Sequence, residues 1–193
     1  AQYEPEPAWN GKTISEINAL TGREPTVDNE IATILEMMLE GGAAGNAYGA
    51  SMIYHYMSLE DVETILSYPN AMVASDGGVV EFGDGQPHPR SYGTNARVLA
   101  EFVRGRELLT LEDAVRRMTS LPARTFGFLD RGIIRPGFVA DLVLFDPTRV
   151  SDKATFADPH QYSEGFDYVF VNGVPVVEGG VMTEERPGEF VGG

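Results

Sequence analysis

The sequence has no cysteine, no long apolar run and few basic residues, since 14 lysines and arginines stand against 29 acidic residues. The absence of cysteine excludes disulfide bonds, thiolate metal ligands and a cysteine nucleophile within this chain. A formal net charge of -15 disfavours nucleic acid and anionic membranes as partners, because phosphate groups bind to basic surfaces. No apolar run approaches the roughly 20 residues that a membrane-spanning helix requires.

The length of 193 residues suffices for one ordinary domain or for parts of two. Hydrophobic residues make up 42% and charged residues 22%, which predicts a soluble globular protein rather than a disordered one. The first seven residues are acidic and include prolines, unlike a signal peptide. Because the chain does not begin with Met, we expect it to be either processed or part of something longer. We expect a cytoplasmic location, while a periplasmic or secreted one stays open.

Apolar residues at helical spacing predict two helices near the N-terminus, over residues 12–20 and 27–40. Gly41 and Gly42 predict the end of the second helix, and the small residues 43–50 predict a loop. The buried stripe of the second helix is expected to comprise Ile31, Ile34, Leu35, Met38 and Leu39.

A strand, a helix and a second strand are predicted next. Residues 51–57 are rich in β-forming side chains and predict the first strand. Ser58 is suited to cap the helix after it, and the apolar run over residues 71–75 predicts the second strand. Such a succession with short connections is typical of a βαβ unit with parallel strands.

Asp76 follows that second strand and opens a Gly-rich loop over residues 77–93, which carries His88, Arg90 and Tyr92. Residues at the carboxyl ends of strands face the active site in (β/α) barrels. Asp-Gly is also a common turn dipeptide, and the local sequence alone favours a turn over a catalytic role for Asp76.

The last third of the chain changes from helices to strands. Helices are predicted over residues 95–103 and, after a cap at Thr110, as far as Met118, with a further helical turn at 122–126. The predicted strands cover residues 139–146, 168–171 and 174–177, the last two joined by Asn172-Gly173, which suits a type I′ turn.

Several motifs along the chain resemble one protein family. They are Met57-Ser58-Leu59-Glu60-Asp61-Val62, Ala74-Ser75-Asp76-Gly77, His88-Pro89-Arg90-Ser91-Tyr92-Gly93-Thr94, Met118-Thr119-Ser120-Leu121-Pro122-Ala123-Arg124, residues 130–143 and Val171-Asn172-Gly173. Together they resemble the amidohydrolase superfamily and, within it, the N-acyl-D-amino-acid deacylases (D-aminoacylases). The Pro-Gly-x-x-Ala-Asp-Leu-Val pattern is shared across much of the superfamily, whereas His-Pro-Arg-x-Tyr-Gly is narrower and indicates the deacylase branch.

The resemblance implies an α/β fold, the C-terminal part of a metal-dependent (β/α)8 TIM barrel plus half of a small β-sandwich domain. Residues 1–126 would form the last strands and helices of the barrel, residues 127–182 the C-terminal part of the sandwich, and residues 183–193 a tail. A full deacylase is more than twice as long and carries a His-x-His motif on its first barrel strand. Here the three histidines, His55, His88 and His160, are far apart.

The same resemblance implies a zinc ion whose ligands come mainly from the missing N-terminal part. The expected partner is therefore an N-terminal segment or subunit that completes the barrel. Asp76 would accept the proton of the metal-bound water and deliver it to the departing amine, and it is also a weak candidate for a metal ligand.

The candidate substrate-binding residues each have a plainer alternative. Arg90 would bind the α-carboxylate of the substrate through two parallel hydrogen bonds, or pair with a surface acid such as Asp84. His88 would orient Asp76 or the substrate, or stack on its neighbours. Tyr92 would line the substrate pocket, and His55 would face the same opening of the barrel. Alternatively, both are ordinary packed side chains with no role in binding.

The expected reaction is hydrolysis of the amide bond of a small-molecule N-acyl-D-amino acid, with the chain inactive unless its N-terminal partner is present. Two alternatives stay open. One is another amidohydrolase, which acts on a cyclic amide or another acylated amine. The other is a non-catalytic half-barrel that serves as a structural subunit.

Overall fold

The computed structural model describes residues 2–43 and 50–191, which form two compact units, each discontinuous in sequence. The described residues of the first unit fall within Ala1–Tyr56, Gly78–Pro89 and Thr155–His160. Those of the second unit fall within Met57–Gly77, Arg90–Ala154 and Gln161–Gly193.

The first unit is mainly helical. Its two short strands, β1 (Gln2–Tyr3) and β2 (Ala50–Ser51), pair in antiparallel fashion. A 3-10 turn at Pro7–Trp9 precedes α1 (Ile14–Leu20) and α2 (Val27–Ala43). The helix predicted over residues 12–20 is thus confirmed. It begins at a capping box, in which the Glu16 amide donates to the Thr13 hydroxyl and the Thr13 amide donates to the Glu16 carboxylate.

Helix α2 differs from its predicted form in two respects. It continues through Gly41 and Gly42 to Ala43, because a glycine inside a helix costs only about 1 kcal/mol and does not end it unaided. Residues 44–49 of the predicted loop lie outside the described residues. The apolar stripe predicted to be buried is largely on the surface, since four of its members are at least half exposed: Ile31, Leu35, Met38 and Leu39.

Polar side chains join α1 to α2 in place of that stripe. Asn18 and Thr33 are buried, and the Thr33 hydroxyl donates to the Asn18 side-chain oxygen. Arg23 donates to the Thr33 hydroxyl at 2.8 Å and pairs with Glu36 at 2.7 Å. These hydrogen bonds pair the Thr33 hydroxyl and the Asn18 side-chain oxygen, while the Asn18 side-chain nitrogen has no partner among the described residues. The helix pair thus buries polar atoms where the sequence pattern suggested apolar ones.

The predicted βαβ unit is present only as its helix. Helix α3 (Leu59–Leu66) begins after Ser58, whose hydroxyl accepts the Asp61 amide at 3.1 Å. Residues 52–57 and 71–75 form no strand, which corrects both strand predictions. A strand requires a hydrogen-bonded neighbour, and no described segment pairs with either of them as one.

Helix α4 (Arg90–Arg97) continues as a π-helix over Val98–Gly105. It begins five residues before the predicted start at residue 95, so Arg90 and Tyr92 lie on its first turn rather than in the loop. Helices α5 (Leu111–Met118) and α6 (Ser120–Thr125) follow, and Thr110 caps α5 as predicted. The core of the second unit comprises Ala96, Val98, Leu99, Leu109, Ala114 and Val150.

A four-stranded antiparallel sheet completes the second unit. Its order is β3 (Leu142–Phe145), β4 (Phe166–Val171), β5 (Val174–Glu178) and β6 (Val181–Met182). The predicted hairpin is confirmed, because Asn172 and Gly173 have φ values of 50° and 78°, both positive as a type I′ turn requires. Strand β3 is shorter than predicted and lies at an edge. Among the described residues no helix is long and apolar enough to cross a bilayer.

A buried arginine on α5 holds the segment that leads to Asp76. Arg117 is 3% exposed, and its guanidinium donates to Asp113 at 2.7 Å and to the carbonyl of Tyr68 at the same distance. The Arg117 carbonyl in turn accepts the amide of Val73 at 3.2 Å. The side chain and the carbonyl of Arg117 thus together hold residues 68–73 in place.

The same arginine shifts the acidity of its partner. Burial by itself would raise the pKa of Asp113, but the hydrogen bonds from Arg117 and Arg116 outweigh it and lower the pKa below its ordinary value. Asp113 therefore stays ionised and paired at neutral pH.

We predict that Arg117→Met lowers the free energy of unfolding by about 3 kcal/mol. The variant removes a buried charged donor from the Asp113 carboxylate, which retains only Arg116, and from the carbonyls of Tyr68 and Ala71. Urea denaturation would measure the loss, and hydrogen exchange at the Val73 amide should quicken in parallel. Arg124→Met is the matched control, since Arg124 is exposed and donates within its own helix. Equal losses in the two variants would contradict the role of Arg117.

A buried tyrosine makes the first unit sensitive to alkali. Tyr3 is 3% exposed and its hydroxyl donates to Glu40. Burial, this hydrogen bond and the charge of Glu40 raise the pKa of Tyr3 to about 12. A raised pKa in the folded state stabilises the protein below the unfolded pKa of roughly 10, and the contribution is lost as pH rises through the folded value.

We therefore predict that stability falls by up to about 2 kcal/mol between roughly pH 10 and pH 12 because of Tyr3. Chemical denaturation across this range would reveal the fall, and Tyr3→Phe should flatten it. Tyr68→Phe, at an exposed position, should leave the pH dependence as in the parent chain.

Candidate active site

Asp76 lies at a sharp turn after residues 71–75. Its φ of 47° falls in the left-handed region, which side chains other than glycine rarely adopt and which Asp tolerates better than most. Gly77 follows, and a Cβ on it would lie 2.9 Å from the Cα of Ser91. Only glycine therefore allows the turn at Asp76 to approach the first turn of α4 so closely.

The turn brings Asp76 to Arg90, the first residue of α4. Arg90 Nη2 and Asp76 Oδ2 are 3.1 Å apart, and the side chains are 44% and 85% exposed respectively. The surface acid considered as an alternative partner, Asp84, belongs to the other unit. An ion pair this exposed contributes only about 0–1 kcal/mol to stability, so it is weak although the backbone around it is well held.

Tyr92 is anchored by a segment near residue 162. Its ring meets that of Tyr162 edge to face at 5.7 Å, and its carbonyl accepts the Ser163 hydroxyl at 3.1 Å. Burial and the neighbouring Tyr162 raise the pKa of Tyr92 above its ordinary value, so the phenol stays neutral. Gly93 lies directly under Asp152, whose Oδ1 would be 1.8 Å from a Cβ at this position.

His55 and His88 lie in the first unit and share an aromatic neighbour. The Phe156 ring is 4.6 Å from that of His55 and 5.0 Å from that of His88, both in edge contacts. The two histidines are therefore brought together within one unit, and Asp76, Arg90 and Tyr92 within the other.

His160 secures the loop after residue 78. Its Nδ1 accepts the Gly83 amide at 3.1 Å, and its Nε2 lies 3.2 Å from the Gly85 carbonyl. A neutral imidazole with its proton on Nε2 satisfies both contacts. The sequence did not indicate this structural role of His160, nor those of Phe156, Tyr162 and Ser163. Each of these residues contacts partners that are distant along the chain, so no local motif marks them.

The described residues do not form a metal site by themselves. Residues 2–43 and 50–191 contain no group of three or more His, Cys, Asp or Glu side chains placed to hold a metal ion. A zinc site requires three or four such ligands. Asp76 could supply at most one of them, and in this structure it pairs with Arg90.

A comparison with known families then assigns the chain. Residues 31–177, more than half of the sequence, match the model of the Amidohydrolase family. The chain belongs to the amidohydrolase family. The resemblance to the amidohydrolases is thereby confirmed, and all the motifs that suggested it lie within the matched residues.

Relatives of this amidohydrolase chain are deacylases. The N-acyl-D-aspartate deacylase of Alcaligenes xylosoxydans xylosoxydans is 42% identical over 185 residues, which cover 96% of this chain and 34% of that protein. A D-aminoacylase crystal structure matches with a TM-score of 0.80 and 36% identity, over 95% of this chain and 35% of that one.

A second solved structure is the N-acyl-D-glutamate deacylase of Bordetella bronchiseptica, in complex with zinc and a phosphonate that mimics the tetrahedral intermediate. It matches with a TM-score of 0.73 and 39% identity, over 91% of this chain and 33% of that one. This amidohydrolase chain thus spans about a third of the length of the relatives it matches.

We predict that Gly77→Ala lowers the free energy of unfolding by about 1–3 kcal/mol, because the new methyl group would meet the backbone of Ser91 and force it apart from the turn. Gly78→Ala is the matched control, since a Cβ there meets nothing within 4 Å. Urea denaturation of both variants should show a loss only for Gly77→Ala; an equal response would mean that the close approach of the turn to α4 is unimportant.

Proposed function

We propose that the chain is the C-terminal part of a metal-dependent amidohydrolase that cleaves the amide bond of N-acyl-D-amino acids. The observation that carries the proposal is the pairing of Asp76 with Arg90 at 3.1 Å. This contact brings a carboxylate suited to proton transfer next to a guanidinium suited to a substrate carboxylate, within the motifs that resemble the deacylases.

In the proposed reaction, Asp76 acts as the proton carrier. One proton of the attacking water passes to the Asp76 carboxylate while the water oxygen bonds to the amide carbonyl carbon. When the carbon–nitrogen bond breaks, the same proton passes from Asp76 to the departing nitrogen. The products are a carboxylate and a free D-amino acid. A positioned carboxylate typically contributes 10²–10⁴-fold in rate through such transfers.

Arg90 is proposed to bind the α-carboxylate of the substrate. A guanidinium donates two parallel hydrogen bonds to a carboxylate, and 44% of the Arg90 side chain is open to solvent. Tyr92 is proposed to line the substrate site. Tyr92 suits that role because burial and the neighbouring Tyr162 raise the pKa of its phenol, which therefore stays neutral. Substrate-binding roles for His88 and His55, which belong to the other unit, remain predictions from the sequence.

The zinc ligands are proposed to come from a part of the protein outside this chain, since the described residues do not form a metal site. That part, an N-terminal segment or subunit, would also complete the (β/α)8 barrel and the β-sandwich. Residues 52–57 and 71–75 would then have neighbouring strands to pair with, and the exposed apolar side chains of α2 would be buried against that part. Residues 1–126, 127–182 and 183–193 remain the proposed barrel, sandwich and tail portions, and a cytoplasmic location remains a prediction.

We predict that Asp76→Asn in the complete protein lowers kcat for an N-acyl-D-amino acid by about 10²–10⁴-fold with little change in KM, because the amide cannot accept the proton. Steady-state kinetics with zinc analysis of each preparation would measure it. Asp84→Asn is the control, because it removes an acid from the loop of the other unit and should leave kcat unchanged.

Three outcomes would contradict the proposal. Unchanged turnover in Asp76→Asn would indicate a structural subunit, and a preference for cyclic amides over N-acyl-D-amino acids would indicate another amidohydrolase. A zinc-loaded, active preparation of this chain alone would show that no further part is needed.

A further inference from the structure

The turn between β4 and β5 is made by a chemically reactive dipeptide. Val171 and Val174 pair across the hairpin, and Asn172 and Gly173 between them have φ values of 50° and 78°. A type I′ turn favours Asn followed by Gly because both positions require positive φ. The same order of residues sets a side-chain carboxamide next to a backbone amide whose own residue has no side chain to obstruct an approach. The residues that suit the turn are therefore also those that can cyclise.

We propose that Asn172 is a deamidation site, which hydrogen bonds to Ala140, Asp141 and Pro187 protect in the folded protein. In the reaction, the Gly173 nitrogen gives up its proton to water and bonds to Cγ of Asn172. The bond from Cγ to Nδ2 breaks, that nitrogen leaves as ammonia, and a succinimide ring remains. Water then opens the ring to aspartate or isoaspartate, so no further reactant is needed.

Three hydrogen bonds restrain the groups that would react. The amide of Gly173, which contains the nucleophile, donates to the carbonyl of Ala140 at 3.0 Å. The side-chain nitrogen of Asn172, which is the leaving group, donates to the carbonyl of Pro187 at 2.8 Å. The backbone amide of Asn172 donates to Asp141 Oδ1 at 2.9 Å and fixes the turn itself. Ring closure requires the first two bonds to break, so the hairpin must open locally before Asn172 reacts.

The acceptors of these bonds are themselves held in place. Arg131 pairs with the second carboxylate oxygen of Asp141 at 3.1 Å, which leaves Oδ1 to the turn. The hydroxyl of Thr183 donates to the carbonyl of Pro175 at 2.9 Å and ties the start of the tail to β5. Pro187 lies four residues beyond this tie, where its carbonyl reaches Asn172. The protection thus depends on the C-terminal tail as well as on the hairpin.

Deamidation would in turn release the tail. An aspartate at position 172 offers only oxygen atoms, which cannot donate to the carbonyl of Pro187. The change is irreversible, because the ammonia is lost. In Asn172→Asp, cleavage of the tail by a glutamate-specific protease should therefore be roughly 2–10-fold faster than in the parent, since one hydrogen bond fewer holds it closed. Unchanged cleavage would overturn the link between Asn172 and the tail.

The main test compares the complete protein with two shortened variants. One ends after Arg186 and lacks the carbonyl of Pro187, and the matched control ends after Gly188 and keeps it. Each is incubated in its folded state at mildly alkaline pH, and peptide mapping by mass spectrometry follows the conversion of Asn172. The variant that ends after Arg186 should react roughly 2–10-fold faster than the parent, the change in open population that loss of one ordinary hydrogen bond produces. The longer variant should react at the parent rate.

A pair of substitutions covers the case in which the shortened chain does not fold. Asp141→Ala removes the acceptor of the Asn172 amide and should quicken deamidation to a similar extent, whereas Asp141→Asn keeps an oxygen acceptor and should react more slowly than Asp141→Ala. Asn10-Gly11 is the same dipeptide in the first unit, and its rate should be equal in every variant.

Two outcomes would overturn the protection. One is a parent rate at Asn172 in both the chain that ends after Arg186 and Asp141→Ala. The other is a rise at Asn10 as large as that at Asn172, because general unfolding would then account for both. Turnover of N-acyl-D-amino acids does not enter these measurements, so their result is independent of the proposed function.

Discussion

The guanidinium of Arg117 is buried and must have its donors satisfied, and this requirement organises the part of the chain around Asp76. No described segment pairs as a strand with residues 71–75. Helix α5 instead holds them through Arg117, whose side chain donates to the Ala71 carbonyl and whose carbonyl accepts the Val73 amide. Asp113 compensates the buried charge, and its lowered pKa reflects the strength of that pairing. The position of Asp76 thus depends on a helix some forty residues further along the chain.

A well-held backbone surrounds the exposed ion pair of Asp76 and Arg90. Gly77 allows the turn at Asp76 to contact the first turn of α4, while Asp152, Tyr162 and Ser163 secure the next residues of that helix. The Asp76 side chain is 85% exposed and the Arg90 side chain 44%.

Local chemistry was predictable from the sequence where a few neighbouring residues suffice. The caps at Ser58 and Thr110 and the turn at Asn172 and Gly173 are formed as expected, since each depends on residues within four positions. The start of α4 was placed too late, and the glycines of α2 did not end that helix. The strands at residues 51–57 and 71–75 could not be predicted reliably, because a strand exists only when a second segment supplies its hydrogen bonds.

By itself the sequence determined the family, the helices and the candidate chemistry of Asp76 and Arg90, because motifs and caps are carried by residues close together in the chain. It did not indicate that these two side chains are each other's partners, that His55 and His88 share Phe156, or that His160 secures the loop after residue 78. Those facts were decided only by the tertiary structure, since each joins residues that are separated along the chain and that only packing brings into contact.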